Sequence, residues 1–143
     1  MRVVIDTNVL ISALLYDRSL PYQLVSLWRQ GRFTLLTSEE QLNELRRVTR
    51  YPKIRSRLTP ALAGRLINDL KAVADVFTAL PQVLVCRDPW NNYLLAMIEV
   101  GNADVLITGD KADLLSLGGH AGAAIVTVRE FLDQIGGGKS RGS

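Results

Sequence analysis

Met1-Arg-Val-Val-Ile-Asp-Thr-Asn8 opens the chain, and the fold class follows from how this stretch is read. Arg2 to Ile5 is a short run rich in β-branched residues and predicts a buried strand. Asp6 stands at its carboxyl end, and Val9-Leu-Ile-Ser-Ala-Leu-Leu15 continues at once as a helix pattern. In open α/β sheets, sites are built outside the carboxyl ends of the strands. Asp6 is therefore a candidate site acid. It could also cap the following helix, a role that Thr7 could fill equally well.

Outward from this stretch, strands and helices alternate. Pro21 starts a helix with an apolar stripe of Leu24, Val25, Leu27 and Trp28, ended by Gly31. Phe33 to Thr37 is a second strand. Ser38 caps a third helix, with Gln41 placed as in a capping box, and Tyr51-Pro52 breaks it. Thr59-Pro60 opens a long helix to about Ala74. Val76 to Leu80 and Val83 to Cys86 are both strand-like, and either could pair in the sheet. Asp88-Pro89 starts a helix ending near Gly101, and Asp104 to Thr108 is a buried strand. Asp110 opens a short helix to Leu117, Ala123 to Val128 is a last strand, and Arg129 to Ile135 a last helix. This alternation implies a mainly parallel sheet with helices on both faces. The expected organisation is one domain over 1–135 and a flexible, Gly-rich polar tail over 136–143.

Composition narrows the chemistry. The 143 residues are 48% hydrophobic, enough for one core, and the formal charge is only +3. Charge is unevenly spread: Arg46, Arg47, Arg50, Lys53, Arg55 and Arg57 form a basic run, with no acid from Leu45 to Asn68. That run is either a solvated face or a phosphate-contacting patch. One cysteine, Cys86, and one histidine, His120, exclude an intrachain disulfide and a Cys/His zinc cluster. No apolar run is long enough to span a bilayer, and Asp6 and Asn8 interrupt any signal-type core, so the expected location is the cytoplasm.

Strand-end position and helix phase pick out the acids. Asp110 follows the strand ending at Thr108 and shares its sheet edge with Asp6, whereas Asp104 starts that strand and falls on the opposite edge. Glu44 flanks the apolar stripe of Leu42, Leu45 and Val48, while Glu39 and Glu40 face water. Asp88 fits a helix N-cap, and Asn91 shares a face with Leu94, Leu95 and Ile98. Hard oxygen donors with little His or Cys suit Mg²⁺ or Mn²⁺, and such an ion suits phosphodiester hydrolysis. A haloacid-dehalogenase-type site would want an acid at position 8, where Asn8 stands.

Four segments together carry a family likeness: Val3-Val-Ile-Asp-Thr-Asn-Val-Leu-Ile-Ser-Ala13, Gln41-Leu-Asn-Glu-Leu45, Arg87-Asp-Pro-Trp-Asn-Asn92 and Ala103-Asp-Val-Leu-Ile-Thr-Gly-Asp110. They resemble the PIN domain, and in particular the VapC-like toxin components of bacterial toxin–antitoxin systems. The resemblance implies a three-layer α/β/α fold around four to five mainly parallel strands. It implies an endoribonuclease dependent on Mg²⁺ or Mn²⁺, an antitoxin partner and a homodimer. It maps site acids onto Asp6, Glu44 and Asp110, the metal ligands, with Thr7, Asn8 and Thr108 as polar supports. RNA would be held by Arg46, Arg47, Arg50, Lys53 and Arg55. The family pattern resembles Asp-Pro-x-Asp-Asn, and Asn91 stands where its second aspartate belongs. Either Asp88 supplies the missing charge, or Asn91 serves as a neutral ligand, or the protein is a weakened or inactive module that binds RNA or protein.

Overall fold

The computed structural model describes residues 1–141, with only the backbone given over 137–141. Six strands form one sheet: β1 (Arg2–Ile5), β2 (Thr34–Ser38), β3 (Asp75–Phe77), β4 (Val105–Ile107), β5 (Gly119–His120) and β6 (Ala123–Val126), in the order β3-β2-β1-β4-β6-β5. All pairings are parallel except β5 with β6. The helices are α1 (Thr7–Leu15), α2 (Leu20–Arg29), α3 (Glu39–Val48), α4 (Pro52–Arg55), α5 (Pro60–Val73), α6 (Asn92–Gly101), α7 (Leu114–Leu117) and α8 (Val128–Arg141), with a single 3₁₀ turn at Pro89–Asn91.

Period-two alternation along β1 sends its side chains to two separate cores. Val3 and Ile5 join Leu10, Leu24, Trp28, Leu42, Leu66 and Phe131, so α1, α2, α3, α5 and α8 cover one face. Val4 joins Leu36, Leu106 and the α6 residues Leu94, Leu95 and Ile98 on the other. These are the three expected layers. Buried on both faces, β1 reads as a continuous apolar run.

Several local expectations change. Asp75–Phe77 is the segment that pairs with β2, while 83–86 stays outside the sheet. Its backbone is held instead by Asn92, whose Oδ1 accepts from the N–H groups of Val85 (3.1 Å) and Cys86 (2.8 Å). β5 adds a sixth strand at the edge, closed by a turn with Ala121 and Gly122 at positive φ. Ser38 caps α3 through the N–H of Gln41, but the Gln41 side chain does not close a capping box. It is buried and donates to the carbonyl of Ile5 (2.6 Å), pinning the end of β1. Glu39 is half-buried rather than fully exposed. The α8 backbone continues past Ile135 through Arg141, and the part of the expected tail at 142–143 lies outside the described residues.

Candidate functional site

The sheet ladder itself places the first acid. The Asp6 N–H donates to the carbonyl of Ile107 (2.9 Å) and the Thr108 N–H to that of Val126 (3.0 Å), so Asp6 and Thr108 emerge side by side at the carboxyl edge. Asp6 is 6% exposed. Its Oδ1 accepts from the Asn8 N–H (3.1 Å), capping α1, and its Oδ2 accepts from the Thr108 hydroxyl (2.7 Å). The capping role is thus real and occupies one oxygen only. Burial pushes the Asp6 carboxyl above the ordinary carboxylate range, and the charges of Glu44 and Asp110 add to that push. The hydrogen bonds from Thr108 and Asn8 oppose it.

Asp110 is joined to Asp6 through Thr108. The Asp110 N–H donates to the Thr108 oxygen (3.1 Å), whose own proton goes to Asp6. Asp6, Asn8 and Asp110 line one cleft of about 480 Å³, with Ser12, Gly109 and Val128 among its other walls. Asp104 sits at the far edge, accepting from the Arg2 N–H (2.7 Å).

Glu44 reaches the same region from α3 but does not enter this cleft. It accepts from the Tyr93 hydroxyl (2.6 Å) and lies 3.9 Å from Arg47. The Tyr93 oxygen also meets the Thr7 hydroxyl at 2.8 Å, so α1, α3 and α6 are tied together behind Asp6. Burial, then the charge and hydrogen bond of Glu44, hold the Tyr93 hydroxyl far above the usual phenol range. It is therefore a fixed proton donor to Glu44.

The start of α6 settles which group meets Asp110. The Asn91 amide nitrogen donates to Asp110 (3.0 Å) and to Asp113 (2.9 Å). Asp88 is exposed, and its carboxylate caps the 3₁₀ turn through the Trp90 N–H (3.1 Å). Asp113, not singled out from the sequence, is buried and accepts from the N–H groups of Arg87 (3.0 Å) and Asp88 (3.1 Å) as well as from Asn91. Burial works against its charge, but those bonds and the Arg87 guanidinium outweigh it and hold the carboxyl below the ordinary range. Its spacing of three from Asp110 is the available signal, obscured because Asp110 reads as the start of a helix that begins only at Leu114.

Among the described residues, no three Asp, Glu, His or Cys side chains converge closely enough to grip an ion together. Asp6 and Asp110 also have no ion-pair partner there, whereas Asp113 feels the charge of Arg87; the four ion pairs lie at Asp75, Asp69, Glu44 and Glu99. Buried or half-buried carboxylates without a cationic partner are the donor set a hard divalent cation neutralises. Asp6 and Asp110 fit such an ion by chemistry and position. Glu44 would have to leave Tyr93 or act from behind it.

The other reactive groups do not assemble. Burial pushes the Cys86 thiol up to about 11, with Asp113, Asp110 and Asp88 adding to the push, and His120 pairs with Glu99 (2.6 Å). The basic run divides. Arg46, Arg50 and Arg55 line a recess between α3 and α5, whereas Arg47 turns towards Glu44 and lies 5.8 Å from the Trp90 ring centroid. Arg57 packs over Tyr16. No helix among the described residues is long and apolar enough to cross a membrane.

A family model described as PIN domain matches residues 2–112. An uncharacterised protein of Methanocaldococcus jannaschii, MJ1680, is 33% identical over 120 residues, covering 82% of this chain and 75% of that protein. Among solved structures, that of VapBC2 from Rickettsia felis bound to a promoter DNA fragment aligns with a TM-score of 0.55 at 13% identity. The alignment covers 89% of this chain and 98% of that one. The PIN domain of human SMG5 aligns with a TM-score of 0.48 at 17% identity, over 94% and 98% of the two chains.

Proposed function

The chain belongs to the PIN-domain family, and from that premise we propose that it is a metal-dependent endoribonuclease that hydrolyses RNA phosphodiester bonds as the toxin of a toxin–antitoxin pair. One observation carries the reading: Asp6, buried and without a cationic partner among the described residues, shares a cleft with Asp110 at the carboxyl edge of adjacent strands. Asp6 and Asp110 would hold Mg²⁺ or Mn²⁺, with Glu44 orienting the site from behind Tyr93. Bound there, the ion would supply Lewis acidity and offset charge on the scissile phosphate. Thr108 keeps the two aspartates in register, and Thr7 does the same for Tyr93 and Glu44. Thr7 and Thr108, two of the three supports assigned by resemblance, thus have side-chain partners consistent with that role, whereas Asn8 lines the cleft and gives Asp6 only its backbone N–H. The antitoxin, a homodimer and a cytoplasmic location belong to the same proposal, which takes support from the likeness in fold to a toxin–antitoxin complex.

A second reading is favoured by Asn91. Its amide already satisfies Asp110 and Asp113, doing with two hydrogen bonds part of what a cation would do. On that reading the chain is a weakened or silent PIN module. Cleavage of a single-stranded RNA with Mn²⁺, with EDTA and in two variants separates the two. The nuclease reading expects Mn²⁺-dependent cleavage abolished in Asp6→Asn and raised several-fold in Asn91→Asp. Cleavage that survives Asp6→Asn removes the site assignment, and silence in both the native chain and Asn91→Asp establishes the second reading.

A further inference from the structure

Trp90 is 72% exposed, although a buried tryptophan would contribute more to stability than any other side chain at the start of α6. Its backbone N–H is used by the Asp88 cap, but the indole is left beside a recess of about 330 Å³. Asn43, Glu44, Arg47, Trp90 and Tyr93 are among the walls of that recess. The recess adjoins the acid cleft through one continuous link, Glu44 to Tyr93 to Thr7, the residue after Asp6.

These side chains form a nucleotide-sized set. An exposed indole offers a stacking face to any base. A guanidinium beside it meets the attached phosphate, and amide and carboxylate groups face the base edge. Arg47 is suited to this because its guanidinium already lies over the Trp90 ring at 5.8 Å from the centroid, its only ion pair among the described residues is the long one to Glu44, and its side chain is half exposed. Asn43 Oδ1 accepts from the Arg46 guanidinium (2.8 Å), which leaves its NH₂ for an acceptor on a base. We propose that this recess is a base-binding subsite for single-stranded RNA, with one unpaired base stacked on Trp90 and its phosphate held by Arg47. A duplex keeps its bases stacked on each other and cannot fill the subsite. The inference rests on the cleft being an RNA site, but not on cleavage there.

The second tryptophan makes the test direct. Trp28 is 3% exposed in the core and gives a constant background, so changes in emission report Trp90. The full chain is titrated in EDTA with oligo(rA), and with the same strand annealed to oligo(rU). Binding is followed independently by anisotropy of labelled RNA. The single strand should quench Trp90 emission and the duplex should not. Trp90→Ala should weaken single-strand binding about tenfold while Trp90→Phe keeps most of it, with unfolding midpoints unchanged in both. Binding without quenching, equal quenching by duplex, unaltered affinity in Trp90→Ala, or no binding at all would each overturn the subsite. If the native chain fails to cut RNA with Mn²⁺ yet is quenched in EDTA, the nuclease reading falls and the subsite stands. Cleavage with no dependence on Trp90 has the reverse meaning.

Discussion

At the scale of single residues, Asp6 is where folding and chemistry compete. Its carboxyl is held above the ordinary range, chiefly by burial, so the native chain binds that proton more tightly than the unfolded chain does. The sign follows from linkage. The contribution of such a group to stability is fully present below its unfolded value and is lost as pH rises through the raised folded value. Above that raised value the charged carboxylate is thus a cost to the folded state without a cation. Asp6→Asn should raise the thermal unfolding midpoint near neutral pH in EDTA, and the gain should shrink as the pH is lowered through the carboxylate range. Mn²⁺ should raise the midpoint of the native chain and not that of the variant, because only a ligand bound to the folded state shifts the equilibrium. A variant less stable than the native chain at neutral pH in EDTA would show that the fold itself uses this charge.

At the scale of elements, α6 is the piece on which the site depends. Its first turn carries Tyr93, the 3₁₀ turn before it carries Asn91, and its last residue, Gly101, sits against the sheet. A Cβ built on Gly101 would lie 2.6 Å from Leu36 Cδ1 and 3.0 Å from Phe77 Cε2. Leu36 is fully buried, so it has little room to yield. Gly101→Ala should cost about 1–3 kcal/mol, the usual range for overpacking, and a urea titration reads this as a lower midpoint at constant slope. An unchanged midpoint would mean that α6 can slide, and with it Asn91 and Tyr93. This close approach illustrates what could be read in the sequence and what could not. Apolar runs, caps and breaks located β1, β2, β4, β6 and most helices, because those signals are local. Strand-end position brought Asp6 and Asp110 to one edge and sent Asp104 to the other. Contacts between distant segments left no local signal. Gln41 reaching Ile5, Tyr93 standing in front of Glu44 and Asp113 gathering the 87–91 turn are products of packing. The choice of Asp75–Phe77 over 83–86 as a strand likewise depended on Asn92 claiming the latter backbone.

For the whole molecule, the decisive quantity is where the positive charge lies, not its sum. A net +3 would attract RNA weakly, but Arg46, Arg50 and Arg55 line one recess of about 270 Å³ between α3 and α5. None of the three has an acidic partner within 4.0 Å among the described residues. Thr49 and Gly64 are also part of that wall, and the absence of a side chain at Gly64 leaves room for a backbone to approach. An RNA strand with one base on Trp90 could pass along α3, since Arg47 and Arg46 are neighbours facing different recesses. Each phosphate neutralised from single-stranded RNA contributes roughly 0.7 to the slope of log affinity against log salt. Replacing Arg50 and Arg55 together by Gln should therefore flatten that slope by about 1.4, measured in EDTA so that no strand is cut. Arg32 and Lys71 provide the control. They precede β2 and β3 and sit towards the opposite edge of the sheet, so their double Gln variant removes the same charge from the wrong side. If both variants flatten the slope equally, attraction is set by total charge and the recess has no special role. If only the Arg50 and Arg55 variant does so, the basic run is a track that delivers RNA to the acid edge.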